Sequence, residues 1–172
     1  MARADRLPAH RLAAPEAIHW GRALSWAFYD FANTIYSALV VSYAITLHVK
    51  EYTGVEKYTF LTMGLSLLAS ALLLPVAGEI ADRTGRAKRW LMALTVSCCA
   101  ACALITFAGG PWLILTLFFV ANFCYTVSLT LYNSLMPMFA PRRRLGLLSG
   151  LGVGMGYAGV AFALPLGWMV VG

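Results

Sequence analysis

Apolar residues fill long runs along this chain, and charged residues are confined to short stretches between them. Five runs stand out, at about 23–49, 59–80, 90–108, 112–139 and 147–171. A helix rises about 1.5 Å per residue, so each run is long enough to cross a hydrocarbon core of about 30 Å. The pattern predicts an all-α membrane protein with five transmembrane helices, residues 23–172 forming the bundle and residues 1–22 a polar tail. The links carry breakers. Gly54 lies in the first, Gly109-Gly110-Pro111 makes a tight turn in the third, and Pro137 and Pro141 close the fourth helix ahead of Arg142-Arg143-Arg144. Pro75 is expected to bend the second helix.

Composition agrees with the pattern. Hydrophobic residues make up 60% of the chain and charged residues 12%, with a mean hydropathy of +0.74. A soluble domain carries about 25% charged residues. The net charge of +6 adds an orientation. Eleven of the thirteen basic residues lie in the tail, in the link between helices 2 and 3, or in the link between helices 4 and 5; Lys50 and Lys57 are the other two. Cytoplasmic loops hold the excess of Lys and Arg. The expectation is a multi-pass protein of the cell (inner or plasma) membrane with a cytoplasmic N-terminus. Arginines at helix ends suit lipid headgroups, and no groove-sized basic patch calls for nucleic acid. The tail lacks the apolar core of a cleaved signal.

Cys98, Cys99, Cys102 and Cys124 all fall inside apolar runs. Cys99 and Cys102 have C-x-x-C spacing, yet no His or acidic ligand is near in sequence, so they read as small apolar residues and no metal is expected. His10, His19 and His48 have no nucleophile or carboxylate at a recognised spacing. The chain reads as a non-enzyme without a cofactor.

Polar residues inside the spans are then the ones to explain. Asp30 is the acidic residue well inside an apolar run. Its ionised form costs about 2.5–3.5 kcal/mol at a helix centre, so it should face a wet cavity or a partner. On a helical wheel Asn33, Thr34 and Ser37 fall within about 60° of it. The stripe reads as a proton or substrate site, or as a carboxylate that pairs locally near the interface. Asn122, Thr126 and Asn133 form a second stripe on helix 4, with Tyr125 alongside. They either line a pathway or hydrogen-bond across helices. In helix 5, Gly150/Gly154 and Gly152/Gly156 are small-x-x-x-small pairs that permit close helix approach.

The link Gly78-Glu79-Ile80-Ala81-Asp82-Arg83-Thr84-Gly85-Arg86-Ala87-Lys88-Arg89 is the most concentrated charge between apolar runs. It resembles the loop between helices 2 and 3 of the major facilitator superfamily of secondary transporters. Ser25-Trp26-Ala27-Phe28-Tyr29-Asp30-Phe31-Ala32-Asn33, Tyr132-Asn133-Ser134-Leu135-Met136-Pro137 and Ser149-Gly150-Leu151-Gly152-Val153-Gly154-Met155-Gly156-Tyr157 resemble the vacuolar-effluxer-like branch, whose fungal members are linked to amino-acid efflux.

The resemblance implies a fold: five helices of a six-helix N-terminal half, with helix 6 and a C-terminal half of the same transporter as missing partners. It also implies a small-molecule solute moved by alternating access. Helices 1 and 4 would line the central cavity through Asp30, Asn33, Ser37, Asn122, Tyr125, Thr126 and Asn133. Gly78, Asp82, Arg83, Gly85 and Arg86 would form a cytoplasmic gate latch. A simpler role for that link is a positive-inside anchor. Ala87 departs from the family link, which often has a second basic residue there. Helix 5 lacks the Gly-Pro pair of antiporters, so antiport is not implied. The competing expectation is a truncated membrane protein that binds or regulates a full-length transporter.

Overall fold

A computed structural model describes residues 17–171, leaving out the side chains of residues 80–82, 84, 166, 170 and 171. Most of the expected tail, residues 1–16, therefore lies outside the described residues. Five long helices follow: α1 Trp20–Thr53, α2 Lys57–Thr84, α3 Ala87–Ile105, α4 Pro111–Ser134 and α5 Leu145–Val171. All five are long and apolar enough to span a bilayer. Large apolar side chains cover the outside. Leu72, Phe107 and Trp168 are 71%, 83% and 81% exposed, which in water would be an aggregating surface and in lipid is the solvated one.

The helix ends differ from the sequence expectation in instructive ways. The second helix continues through Thr84, so Gly78, Asp82 and Arg83 are helical and the expected hinge shrinks to a turn at Gly85 and Arg86. No residue between Glu79 and Thr84 breaks a helix, and an ion pair from Arg83 to Glu79, one turn away, supports it. Gly85 ends the helix at φ 61°, a left-handed conformation that suits glycine. Gly54 does the same for α1 at φ 72°. The fourth helix stops at Ser134, and Pro137 sits in a short 3-10 turn, Met136–Met138. Pro75 and Pro165 are carried inside continuous helices, which membrane helices tolerate.

One feature has no sequence counterpart. The middle of α1, Tyr36–Ala44, is wound as a π-helix. The Ser42 hydroxyl donates to the Ser37 carbonyl five residues back at 2.9 Å, in keeping with the wide winding. Such stretches often mark functional sites.

The bundle is held by three main helix pairs: α3 with α4, α1 with α5, and α2 with α4. At the end bearing the basic links, Ala23, Trp26, Ala27, Leu91, Leu131, Tyr132 and Leu148 form one buried cluster. At the opposite end, Val41, Ile45 and Val49 of α1 pack with Ile105, Ile114 and Phe118. Cys98, Ala101, Ala121 and Cys124 join α3 to α4 between them. Helix α1 thus changes partner along its length, and the π-wound segment lies where it does so.

Candidate functional site

Tyrosines mark the interior where α1 meets α4. Tyr29 and Tyr36 are seven residues apart on α1, and Tyr125 and Tyr132 are seven apart on α4, so each pair faces one side of its helix. The two faces meet. Trp26 stacks on Tyr132 with ring centroids 4.4 Å apart, and its indole N–H donates to the Tyr132 carbonyl at 3.1 Å. Tyr29 stacks on Tyr132 at 4.9 Å. One level further from the basic end, Tyr36 packs against Tyr125 at 4.9 Å. The Tyr29 hydroxyl lies 2.9 Å from Thr95 Oγ1 and donates to Ser128 Oγ at 3.4 Å.

These side chains line a half-open, largely apolar cavity of about 160 Å³ between α1, α3 and α4. It is lined by Tyr29, Asn33, Tyr36, Tyr125 and Ser128, with Thr95 and Cys98, Cys99 and Cys102 on the α3 side. The volume is below that of a typical small-molecule pocket. All four cysteines are free thiols. Among the described residues no cluster of three His, Cys, Asp or Glu side chains could hold a metal ion.

The expected stripe on α1 is split by this arrangement. Asn33 lines the cavity. Asp30 and Thr34 turn toward α5, where a Cβ added at Gly156 would lie 3.3 Å from Asp30 Oδ2 and 2.8 Å from Thr34 Oγ1. Ser37 bonds back to the Thr34 carbonyl at 3.0 Å.

The α4 stripe is split as well. Asn122 is buried and donates through Nδ2 to Ser66 Oγ of α2 at 2.6 Å, the cross-helix alternative for this residue. Thr126 donates to the Asn122 carbonyl at 2.8 Å. Asn133 is exposed. Of the α4 residues singled out in the sequence, Tyr125 alone lines the cavity. Sequence reasoning missed Tyr29, Tyr36, Thr95, Ser128 and Tyr132; the paired seven-residue tyrosine spacing was the signal available.

Arg83 pairs with Glu79, while Arg86, Lys88 and Arg89 are exposed. The Asp82 side chain lies outside the described residues. A Cβ at Gly78 would meet nothing within 4 Å, so tight packing of Gly78 against the described helices does not occur.

The glycines of α5 divide into two faces. Positions 150 and 154 face open space. A Cβ at Gly152 would sit 3.0 Å from the Trp26 ring, and one at Gly159 only 2.5 Å from the Phe31 carbonyl oxygen. Gly152, Gly156 and Gly159 are therefore where α5 lies directly on α1.

Five apolar spans packed around a tyrosine-lined cavity define a polytopic integral membrane protein. The sequence model of the Major Facilitator Superfamily matches residues 4–164, and the chain belongs to that family. It is 35% identical over 145 residues to an uncharacterized protein of Aquifex aeolicus, covering 83% of this chain and 37% of the relative. It is 30% identical over 145 residues to the uncharacterized MFS-type transporter YxiO of Bacillus subtilis, covering 78% of this chain and 34% of the relative. The chain thus spans about a third of the length of the curated relatives it matches. No solved structure matches it.

Proposed function

We propose that this chain forms most of the first half of a secondary transporter that moves a small solute by alternating access. Amino acids are the solute class that the vacuolar-effluxer resemblance suggests. In that reading, residues 1–22 are a cytoplasmic tail, residues 23–172 belong to a six-helix half in the cell membrane, and helix 6 and a C-terminal half complete the pathway. The observation that carries it is the meeting of Asn33 on α1 with Tyr125 on α4 in one cavity. In such transporters the midplane site is built at the interface of repeats. Asp30 is a second polar group of α1 beside that pathway. Gly78, Asp82, Arg83, Gly85 and Arg86 serve as a latch at the cytoplasmic side. The exposure of Arg86 leaves it free for groups of another half.

The other reading is a short membrane protein that binds and regulates a full-length transporter. Proteoliposomes separate the two. The 172-residue chain alone gives no saturable solute flux, because five helices cannot rock against a counterpart. Joined to the remaining helices, it transports, and Tyr125→Phe or Asn33→Ala lowers the rate about tenfold, as expected for loss of one hydrogen bond of about 1.4 kcal/mol. Unchanged transport in both variants at equal expression sinks the cavity assignment. Flux from the chain alone sinks the fragment reading.

A further inference from the structure

Helices α2 and α3 both pack on α4 but touch each other little. Between them runs a second groove, of about 230 Å³. Its floor is α4, through Phe123, Val127 and Leu131. These residues are four apart, so the floor follows the helix axis for about 12 Å. Val127 and Leu131 are buried, whereas Leu73 and Val76 on the α2 wall and Trp90 on the α3 wall are exposed. The groove is therefore open on its outer side, where lipid surrounds the bundle. Its lining carries no hydroxyl, amide or charged side chain, and Trp90 adds only an indole N–H.

The two ends of the groove differ. Trp90 lies at one end, in the first turn of α3. The N–H groups of Arg89 and Trp90 both donate to the Arg86 carbonyl, at 2.8 and 3.2 Å. Arg86, Lys88 and Arg89 thus lie within one turn of Trp90, about 6 Å along the axis, and all three are exposed. The link at 78–89 holds four basic residues against two acidic ones, and of the four Arg83 is paired with Glu79. The other end is apolar. Leu73 lies eleven residues before the end of α2 at Thr84, about 16 Å into the span. The groove starts beneath a cationic turn and runs inward along hydrocarbon.

We infer that this groove binds an anionic phospholipid, with one acyl chain laid along α4 between α2 and α3 and the phosphate at the Arg86–Arg89 turn. Shape selects a chain over a compact solute. The floor is long, parallel to the helix axis as acyl chains are in a bilayer, and it offers a polar molecule nothing to bond. Charge selects the headgroup. Each Lys or Arg beside an anionic lipid surface strengthens binding about fivefold, whereas a zwitterionic headgroup sets its own ammonium against the same cations. Trp90 suits the level between the two, since indoles settle at the headgroup boundary. The other basic link, Arg142–Arg144, gives an internal comparison, because it lies outside the groove lining. The inference needs only the membrane setting and does not rest on the transporter reading.

Native mass spectrometry of the purified 172-residue chain tests it. The chain is released from nanodiscs that hold equal amounts of phosphatidylglycerol and phosphatidylcholine with the same acyl chains. One phosphatidylglycerol should be retained about tenfold more often than phosphatidylcholine. Lys88→Gln with Arg89→Gln should abolish the preference. Arg142→Gln with Arg143→Gln, which removes the same charge elsewhere, should keep it. Ala77→Phe, which fills the groove from its α2 wall and alters no charge, should lower phosphatidylglycerol retention about tenfold. If that variant does not fold, Val76→Trp on the exposed wall replaces it. Glycerol 3-phosphate, a headgroup without chains, should not be retained. Equal retention of the two lipids, a preference lost equally in the Arg142 and Arg143 variant, retention unmoved by filling the groove, or capture of glycerol 3-phosphate overturns the site. The complete protein should retain the same lipid; its loss there would show that a helix beyond these residues covers the groove, and would overturn the site too.

Discussion

Two helix seams of this bundle are built from opposite materials. Helix α5 lies on α1 through Gly152, Gly156 and Gly159, and the contact is backbone-close. Helix α2 meets α4 through buried Ser66 and Ser70 and the bond from Asn122 to Ser66. Lipid tails are as apolar as leucine, so hydrophobic burial drives neither contact. What remains is close packing of small residues in one seam and polar adhesion in the other. The difference matters for function. A glycine seam has no fixed bond to break and can part or slide, whereas a directional side-chain bond resists both.

Three substitutions sharpen this contrast. Gly159→Val should have the largest effect. Its Cβ would fall 2.5 Å from a backbone carbonyl of Phe31, which cannot rotate away. Overpacking of this kind costs about 3 kcal/mol, read as the unfolding free energy of the chain in bicelles; a loss below about 1 kcal/mol would show that the seam is looser than described. Asn122→Ala should cost about 1 kcal/mol by the same measurement. Paired with Ser66→Ala in a double-mutant cycle it should show a coupling energy of similar size, and additive losses would mean that the 2.6 Å bond contributes nothing. Gly154→Ala should change stability by less than about 0.5 kcal/mol, because nothing lies within 4 Å of the added carbon. A large loss there would place a partner on the outer face of α5.

The sequence pattern for α5 shows both what was legible and what was not. Five glycines at 150, 152, 154, 156 and 159 announce close packing, but the pairs at 150/154 and 152/156 look equivalent in the sequence. Only the rotation of α5 against α1 selects the second. The same holds for α1. Asp30 and Asn33 share a helical-wheel stripe of about 60°, yet that arc is wide enough for one to face α5 and the other α3 and α4. The Asn122 side chain illustrates a different limit. Its amide suits a pathway and a cross-helix bond equally well, and the choice depends on Ser66, 56 residues earlier in the chain.

By itself the sequence determined the solvent of this protein. Runs of apolar residues long enough to cross hydrocarbon, separated by basic links, leave no other stable environment. It also marked α-helix as the element, since a backbone in lipid must satisfy its own hydrogen bonds. Tertiary structure decided the rest. It set the end of α2 at Gly85 rather than near residue 80, the π-wound middle of α1, the placing of Asp30 against α5, and the cavity that joins Asn33 to Tyr125. The physical reason is that hydrophobicity acts on each helix alone, whereas facing, register and pairing are properties of two helices together.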